Sequence, residues 1–545
     1  MSSLGLQATG AALEAVDRHV PTLVEDRVAS RLAQKDHTLW GPAAEEEASQ
    51  RLGWMDLIED SRALLPQIEQ LRRELQNEGI TRIVLAGMGG SSLAPEVIAA
   101  TAGRELTVLD STDPEMVGNV LAADIQQTAL VVSSKSGSTV ETDSQRRVFE
   151  QAFTDAGLTA GRHMIVVTDP GSPLEQTATE AGYRQVFTAD PTVGGRYSAL
   201  TAFGLVPTGL AGVDVAALLD DAEEAMEMLR DDDVDNLGLQ LGAALGGTTP
   251  LRNKLIFSDE GSGIPGFADW AEQLIAESTG KEGTGVLPVV VHAGDPETQS
   301  PLAEAADLLQ VRLVAGPEDR DDEESLEPRT GDHAIEVFGS LGAQLILWEF
   351  ATAVAGRLLG INPFDQPDVE SAKAAARGLL DSPAEQSPAD RTLNGMDLRG
   401  PADIIDAEDL ASVLRGVAQA VPADGYLSIQ VYLDRLGMAE VEQLRPALAS
   451  LAGRPVTFGW GPRFLHSTGQ YHKGGPAHGV VLQITADSDT DLEIPGRPFT
   501  FGTLIAAQAA GDASVLREAG LTVVQVHLTD RRAGVAELLG AVSSA

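Results

Sequence analysis

Apolar side chains at Leu64, Ile68, Leu71 and Leu75 recur at steps of four, three and four residues, which is the spacing of one helix face. Residues 1–76 read as a mostly helical segment on that pattern. From residue 81 the period changes. Short apolar runs at 82–86, 106–109, 129–133, 164–167 and 184–188 each give way to a helical pattern. Strands alternating with helices predict a parallel, doubly wound sheet within 77–215. A helical acidic stretch at about 213–245 follows, and the alternation then restarts. Strands are expected at 254–257, 285–292 and 311–315, with helices at 267–278 and 337–359, so 216–380 reads as a helical connection and a second α/β unit. That unit repeats the order strand, Gly/Ser turn (Gly261-Ser262-Gly263), helix. Residues 381–401, rich in Pro, Ser, Asp and Gly, read as a linker. Further strands at 426–433, 455–460, 479–486 and 523–528 make 402–545 a C-terminal α/β region.

Composition narrows the function. A chain of 545 residues can bury several cores, and the absence of cysteine excludes disulfides, thiolate metal sites and cysteine nucleophiles. The start has neither a basic nor an apolar leader segment, and no apolar run is long enough to span a bilayer. A cytoplasmic location is expected, with no membrane partner. The net charge of −43, from 38 basic and 81 acidic residues, repels nucleic acid and anionic lipid. Any anion site must therefore be locally positive. Only six lysines occur, and four of them (Lys135, Lys281, Lys373, Lys473) fall in segments notable on other grounds. The acidic runs at 231–233 and 321–324 read as exposed loops rather than metal sites.

The candidate chemistry lies at strand ends. After the apolar run ending at Ser133 come Ser134, Lys135, Ser136, Gly137, Ser138 and Thr139, then a helical pattern. Hydroxyls and free N–H groups at a helix start suit a phosphate monoester, although a Ser/Thr cluster capping the helix accounts for the same residues. Gly87-Met88-Gly89-Gly90-Ser91-Ser92 follows the 82–86 run and lets backbone approach a ligand, or simply makes a tight turn. Gly194-Gly195-Arg196 puts a guanidinium beside two glycines, suited to a phosphate or a developing oxyanion. Glu277 sits near a helix C-terminus, the wrong end for its charge, a placement that suits a general base working near neutrality, and Gln273 is one turn before it. An exposed Glu before a Gly cap is the plainer alternative. Lys373 falls in the second turn of a helix opened by Asn362-Pro363-Phe364-Asp365-Gln366-Pro367. The segment 465–476 holds His466 and His472 among three glycines, candidates for acid/base work or for a hydrogen-bonded turn.

Taken in order, Gly-Met-Gly-Gly-Ser-Ser-Leu-Ala-Pro (87–95), Ser-Lys-Ser-Gly-Ser-Thr-Val-Glu-Thr (134–142), Gly-Gly-Arg-Tyr-Ser (194–198), Gln273 through Lys281, and Asn362 through Lys373 resemble the glucose-6-phosphate isomerase family. The resemblance covers most of 35–376. With Leu-His-Ser-Thr-Gly-Gln (465–470) the chain looks closest to the isomerase half of bacterial transaldolase–phosphoglucose isomerase fusions. The resemblance implies two sugar-isomerase (SIS) domains, reversible isomerisation of glucose 6-phosphate and fructose 6-phosphate through an enediolate, and neither metal nor cofactor. It assigns the phosphate to Ser134, Lys135, Ser136, Ser138 and Thr139, with Gly90 and Ser91 lining the pocket. Glu277 becomes the base, Arg196 the enediolate partner, and Gln273, Gln366 and Lys373 neighbours of the substrate. The family's Gly-Gln-His ring-opening segment is missing between 282 and 360, so His466 or His472 is expected to supply that histidine. Dual specificity for mannose 6-phosphate and a non-catalytic sugar-phosphate-binding protein are the alternatives. The expected partner is a small sugar phosphate, and a homodimer is allowed.

Overall fold

The computed structural model describes residues 4–317, 332–381 and 388–545; the side chains of 370, 372, 373 and 381 and the acidic run at 321–324 lie outside the described residues. The described residues form three sheets. Strand β1 (Gly5–Ala8) opens the chain, and β2 (Arg82–Gly87), β3 (Thr107–Leu109), β4 (Thr128–Ser133), β5 (Met164–Thr168) and β6 (Gln185–Thr188) form an all-parallel sheet in the order β3-β2-β4-β5-β6. Its central strands are buried on both faces, as Val84, Leu85, Val131 and Val132 show, which is why they read as continuous apolar runs. The chain leaves β2 in one direction and β4 in the other. Their carboxyl ends therefore flank a crevice, the usual ligand position in an open α/β sheet.

Strands β7 (Lys254–Glu260), β8 (Leu287–Val291), β9 (Leu308–Val314) and β10 (Ala334–Phe338) build the second sheet, in the order β1-β10-β9-β7-β8. Strand β1 runs antiparallel to β10, pairing Gly5 with Phe338. The first 76 residues thus contribute a strand as well as helices. Four residues of strand carry little local pattern, and this one is held by a partner more than 300 positions away. The expected helix at 337–359 begins at Leu341 instead, because Val337 belongs to β10.

The third sheet corrects the linker. Strands β11 (Arg391–Leu393) and β12 (Met396–Arg399) form a hairpin within 381–401, joined to β13 (Tyr426–Tyr432), β14 (Val456–Trp460), β15 (Gly479–Ala486) and β16 (Thr522–Leu528) in the order β11-β12-β16-β15-β13-β14. Asn394 and Gly395 have φ of 51° and 78°, the two-residue turn that Asn-Gly favours between strands. This sheet carries its own apolar core. Ion pairs dock it on the rest of the chain. Arg435 and Arg463 meet Glu96 and Asp110 at 2.6–3.1 Å, and Arg445 meets Asp295 and Glu297 at 2.5 and 2.7 Å. Much of the scarce positive charge thus works at internal seams.

Candidate active site

The crevice outside β2 and β4 opens into a cleft of about 1000 Å³. The turn after β2 places Gly89, Gly90 and Ser91 on its wall. Gly90 packs against the second glycine turn so closely that a Cβ there would lie 2.0 Å from the Gly195 carbonyl oxygen. The close approach requires glycine and holds the two turns in register. The loop after β4 runs from Ser134 to Thr139, with Gly137 at φ 68°. Ser134 Oγ and Thr139 Oγ1 lie 3.1 Å apart, and Ser136 Oγ and Ser138 Oγ 3.0 Å. Thr139 is the N-cap of the Val140–Asp155 helix but its side chain makes no capping bond. Capping therefore does not account for the hydroxyl cluster, and the first N–H groups of that helix are left to another acceptor. Lys135 Nζ donates to Asp169 Oδ2 at 2.7 Å, a carboxyl that burial pushes up against the pull of that ammonium.

Arg196 and Glu277 reach the cleft from opposite elements. Gly195–Tyr197 form a short helical turn, and Tyr197 stacks on Trp54 at 5.2 Å behind it. Arg196 donates to Ser278 Oγ at 3.2 Å and to the Phe364 carbonyl at 2.7 Å. Its Nε lies 3.9 Å from Glu277 Oε1, with the two side chains 4% and 7% exposed. Glu277 occupies the last turns of the Phe267–Thr279 helix; it is buried rather than a solvated Glu before a cap. Gln273 Nε2 donates to Glu277 Oε2 at 3.1 Å and to the His466 carbonyl at 2.7 Å.

Gln366 also lines the cleft. Its turn is tied down by Lys281, whose ammonium donates to the carbonyls of Asn362 and Asp365 at 2.7 and 2.6 Å and to Asp365 Oδ1 at 2.7 Å. Burial drops the Lys281 pKa to about 8. Lys373 falls in the second turn of the Val369–Asp381 helix, and its side chain lies outside the described residues.

The two histidines part company. His466 lines the cleft, with Nε2 at 3.0 Å from Glu141 Oε1. His472 does not. It is buried against the third sheet, where Nδ1 bonds the Tyr426 hydroxyl at 2.8 Å and Nε2 lies 3.3 Å from Ser428 Oγ. Burial, with Lys473 next to it, lowers its pKa to about 3. That neutral core group corrects the expectation that His472 serves the cleft. Between them, Gln470 donates to the Gly280 carbonyl at 2.9 Å and Asp368 Oδ2 at 2.6 Å. Glu141, Lys281, Gln508 and Arg497 were not among the expected site residues. Glu141 had a signal, a carboxylate in the first turn of a helix; Gln508 and Arg497 had none.

A parallel sheet whose strand order reverses at a polar cleft beside a hydroxyl-rich loop defines an α/β protein with its ligand cleft at that switch point. Residues 71–236 match the family described as phosphoglucose isomerase. The chain is 30% identical over 422 residues to a glucose-6-phosphate isomerase of Thermus thermophilus, covering 67% of this chain and 96% of that one. It is 29% identical over 357 residues to the enzyme of that name from Citrifermentans bemidjiense, covering 55% of this chain and 66% of the relative, just under two thirds of its length. A crystal structure of a hypothetical protein, also from Thermus thermophilus, is similar with a TM-score of 0.58 at 28% identity, over 69% of this chain and 99% of that one. The chain belongs to the phosphoglucose isomerase family.

Proposed function

We propose that this chain interconverts glucose 6-phosphate and fructose 6-phosphate, with Glu277 as the base. The observation that carries this is the buried contact of Glu277 and Arg196, 3.9 Å apart on the wall of the cleft that the Ser134–Thr139 hydroxyls also line. The loop takes the phosphate on its hydroxyls and N–H groups, with Gly90 and Ser91 beside it. His466, as imidazolium, gives a proton to the ring oxygen while the C1–O5 bond breaks; the proton of the C1 hydroxyl leaves to water and the aldehyde forms. Glu277 then takes the C2 proton. The electron pair forms the C1–C2 double bond, and the oxygen on C1 becomes the enediolate oxygen beside Arg196. Glu277 returns the proton to C1, and the hydroxyl proton on O2 passes to O1, leaving the ketone. A weakly acidic C–H needs such a pairing of base and fixed cation in a site shielded from water. Gln273 and Gln366 border the sugar, and Lys373 keeps, from its motif position alone, the part of an electrostatic group.

The test is conversion of fructose 6-phosphate to glucose 6-phosphate by the intact chain in the presence of a chelator, beside Glu277→Gln. Turnover that survives the chelator and drops by roughly 10²–10⁴-fold in the variant, with phosphate affinity kept, supports the proposal. A wild type that binds the sugar phosphate without turning it over makes the chain a binding protein instead.

A further inference from the structure

The carboxylate that holds His466 is itself held. Glu141 Oε1 takes Nε2 of His466 at 3.0 Å and also accepts from Gln508 Nε2 at 2.7 Å. Gln508 is fixed in turn, because Thr112 Oγ1 donates to its Oε1 at 2.6 Å. A hydroxyl proton aimed at the amide oxygen leaves the amide N–H for Glu141, so the orientation of the amide follows from its two partners. Gln508 comes from the Phe501–Glu518 helix of the C-terminal region, and Thr112 from the loop after β3; they are 4% and 0% exposed. Burying an amide here is costly unless both ends are satisfied, and both are.

We propose that Gln508 is a positioning residue for ring opening: by donating to Glu141 it fixes that carboxylate against Nε2 of His466 and so holds the imidazole in the cleft. With Nε2 committed, Nδ1 has no hydrogen-bond partner among the described residues and is the nitrogen left to serve the sugar. Without the amide, Glu141 loses one of the contacts that hold it at Nε2, and His466 is less firmly placed to give its proton to the sugar. The C-terminal region then supplies both the imidazole and a group that positions it. The proposal rests on His466 as the ring-opening acid.

Ring opening is read alone in Glu277→Gln, which cannot move the C2 proton, by exchange NMR between the two anomers of glucose 6-phosphate. Adding Gln508→Met, similar in size but without a donor, is expected to slow that exchange about tenfold, the size of one hydrogen bond to a charged group. Thr112→Val slows it less, in the same direction, and serves if Gln508→Met does not fold. Inorganic phosphate binding stays unchanged, and the ¹⁵N shifts of His466 lose their Nε2–H character. Exchange at the parent rate in a folded Gln508→Met protein, with His466→Asn slow, overturns this proposal alone. Exchange unaffected by His466→Asn overturns the ring-opening role of His466 and this proposal with it.

Discussion

Gln470 and Asp368 clasp each other twice: the Gln470 amide donates to Asp368 Oδ2, and the Asp368 N–H donates to Gln470 Oε1 at 3.0 Å. The same amide donates to the Gly280 carbonyl. One glutamine of the C-terminal region thus joins the end of the Glu277 helix to the turn that presents Gln366. Gln470→Leu is expected to lose about 1–3 kcal/mol of stability through polar groups left unpaired in a buried place. Chemical denaturation checks the loss, and KM for sugar phosphate should rise with it.

Arg196 uses two nitrogens to anchor its turn and a third face toward Glu277. Lysine keeps the charge but not the planar fork. Arg196→Lys is expected to lower kcat roughly 10²-fold or more with a smaller effect on KM, the pattern of an interaction stronger in the transition state. Steady-state rates in both directions test it.

His472 gives a sign that can be measured. Its pKa falls from 6.5 to about 3 in the folded chain, so between those values the unfolded chain binds the extra proton. Stability from this group is present above pH 6.5 and is lost as pH falls toward 3, at up to about 1.4 kcal/mol per pH unit. His472→Gln should flatten that acid slope in denaturation curves while leaving isomerase activity near neutrality; His466→Asn should do the reverse.

Lys281 works in the opposite range. Burial drops its pKa from 10.5 to about 8, so the unfolded chain holds more protons from about pH 8 to 10.5 and this group's contribution to stability rises with pH there. Activity should fall over the same range, because the ammonium that ties the 362–366 turn loses its charge. Lys281→Met should abolish the rise in the stability profile, followed by denaturation at several pH values.

The chain signals its turns better than its long-range pairs. Gly87, Gly89, Gly90 and Gly137 are demanded locally, by positive φ or by close approach, so the turns that carry them could be read directly. Glu141, Thr112 and Gln508 are ordinary residues in ordinary helices and loops; only the packing of the third sheet brings them together. His466 and His472 sit six residues apart in one polar segment, and nothing local separates them. What separates them is that His466 ends a short turn at the cleft, while His472 lies in the Gly469–Gly474 helix against Tyr426. The Asn394-Gly395 hairpin was encoded locally but obscured by the proline and serine around it.

The Gln273 amide reaches the His466 carbonyl across 193 positions of chain, and this has a consequence for synthesis. A nascent polypeptide that has just released the second sheet from the ribosome already carries Glu277, Arg196 and the hydroxyl loop, yet lacks the imidazole. On the proposed function, such a chain grips a sugar phosphate before it can turn one over, so ligand present during translation would act as a folding aid while the last region is still being made.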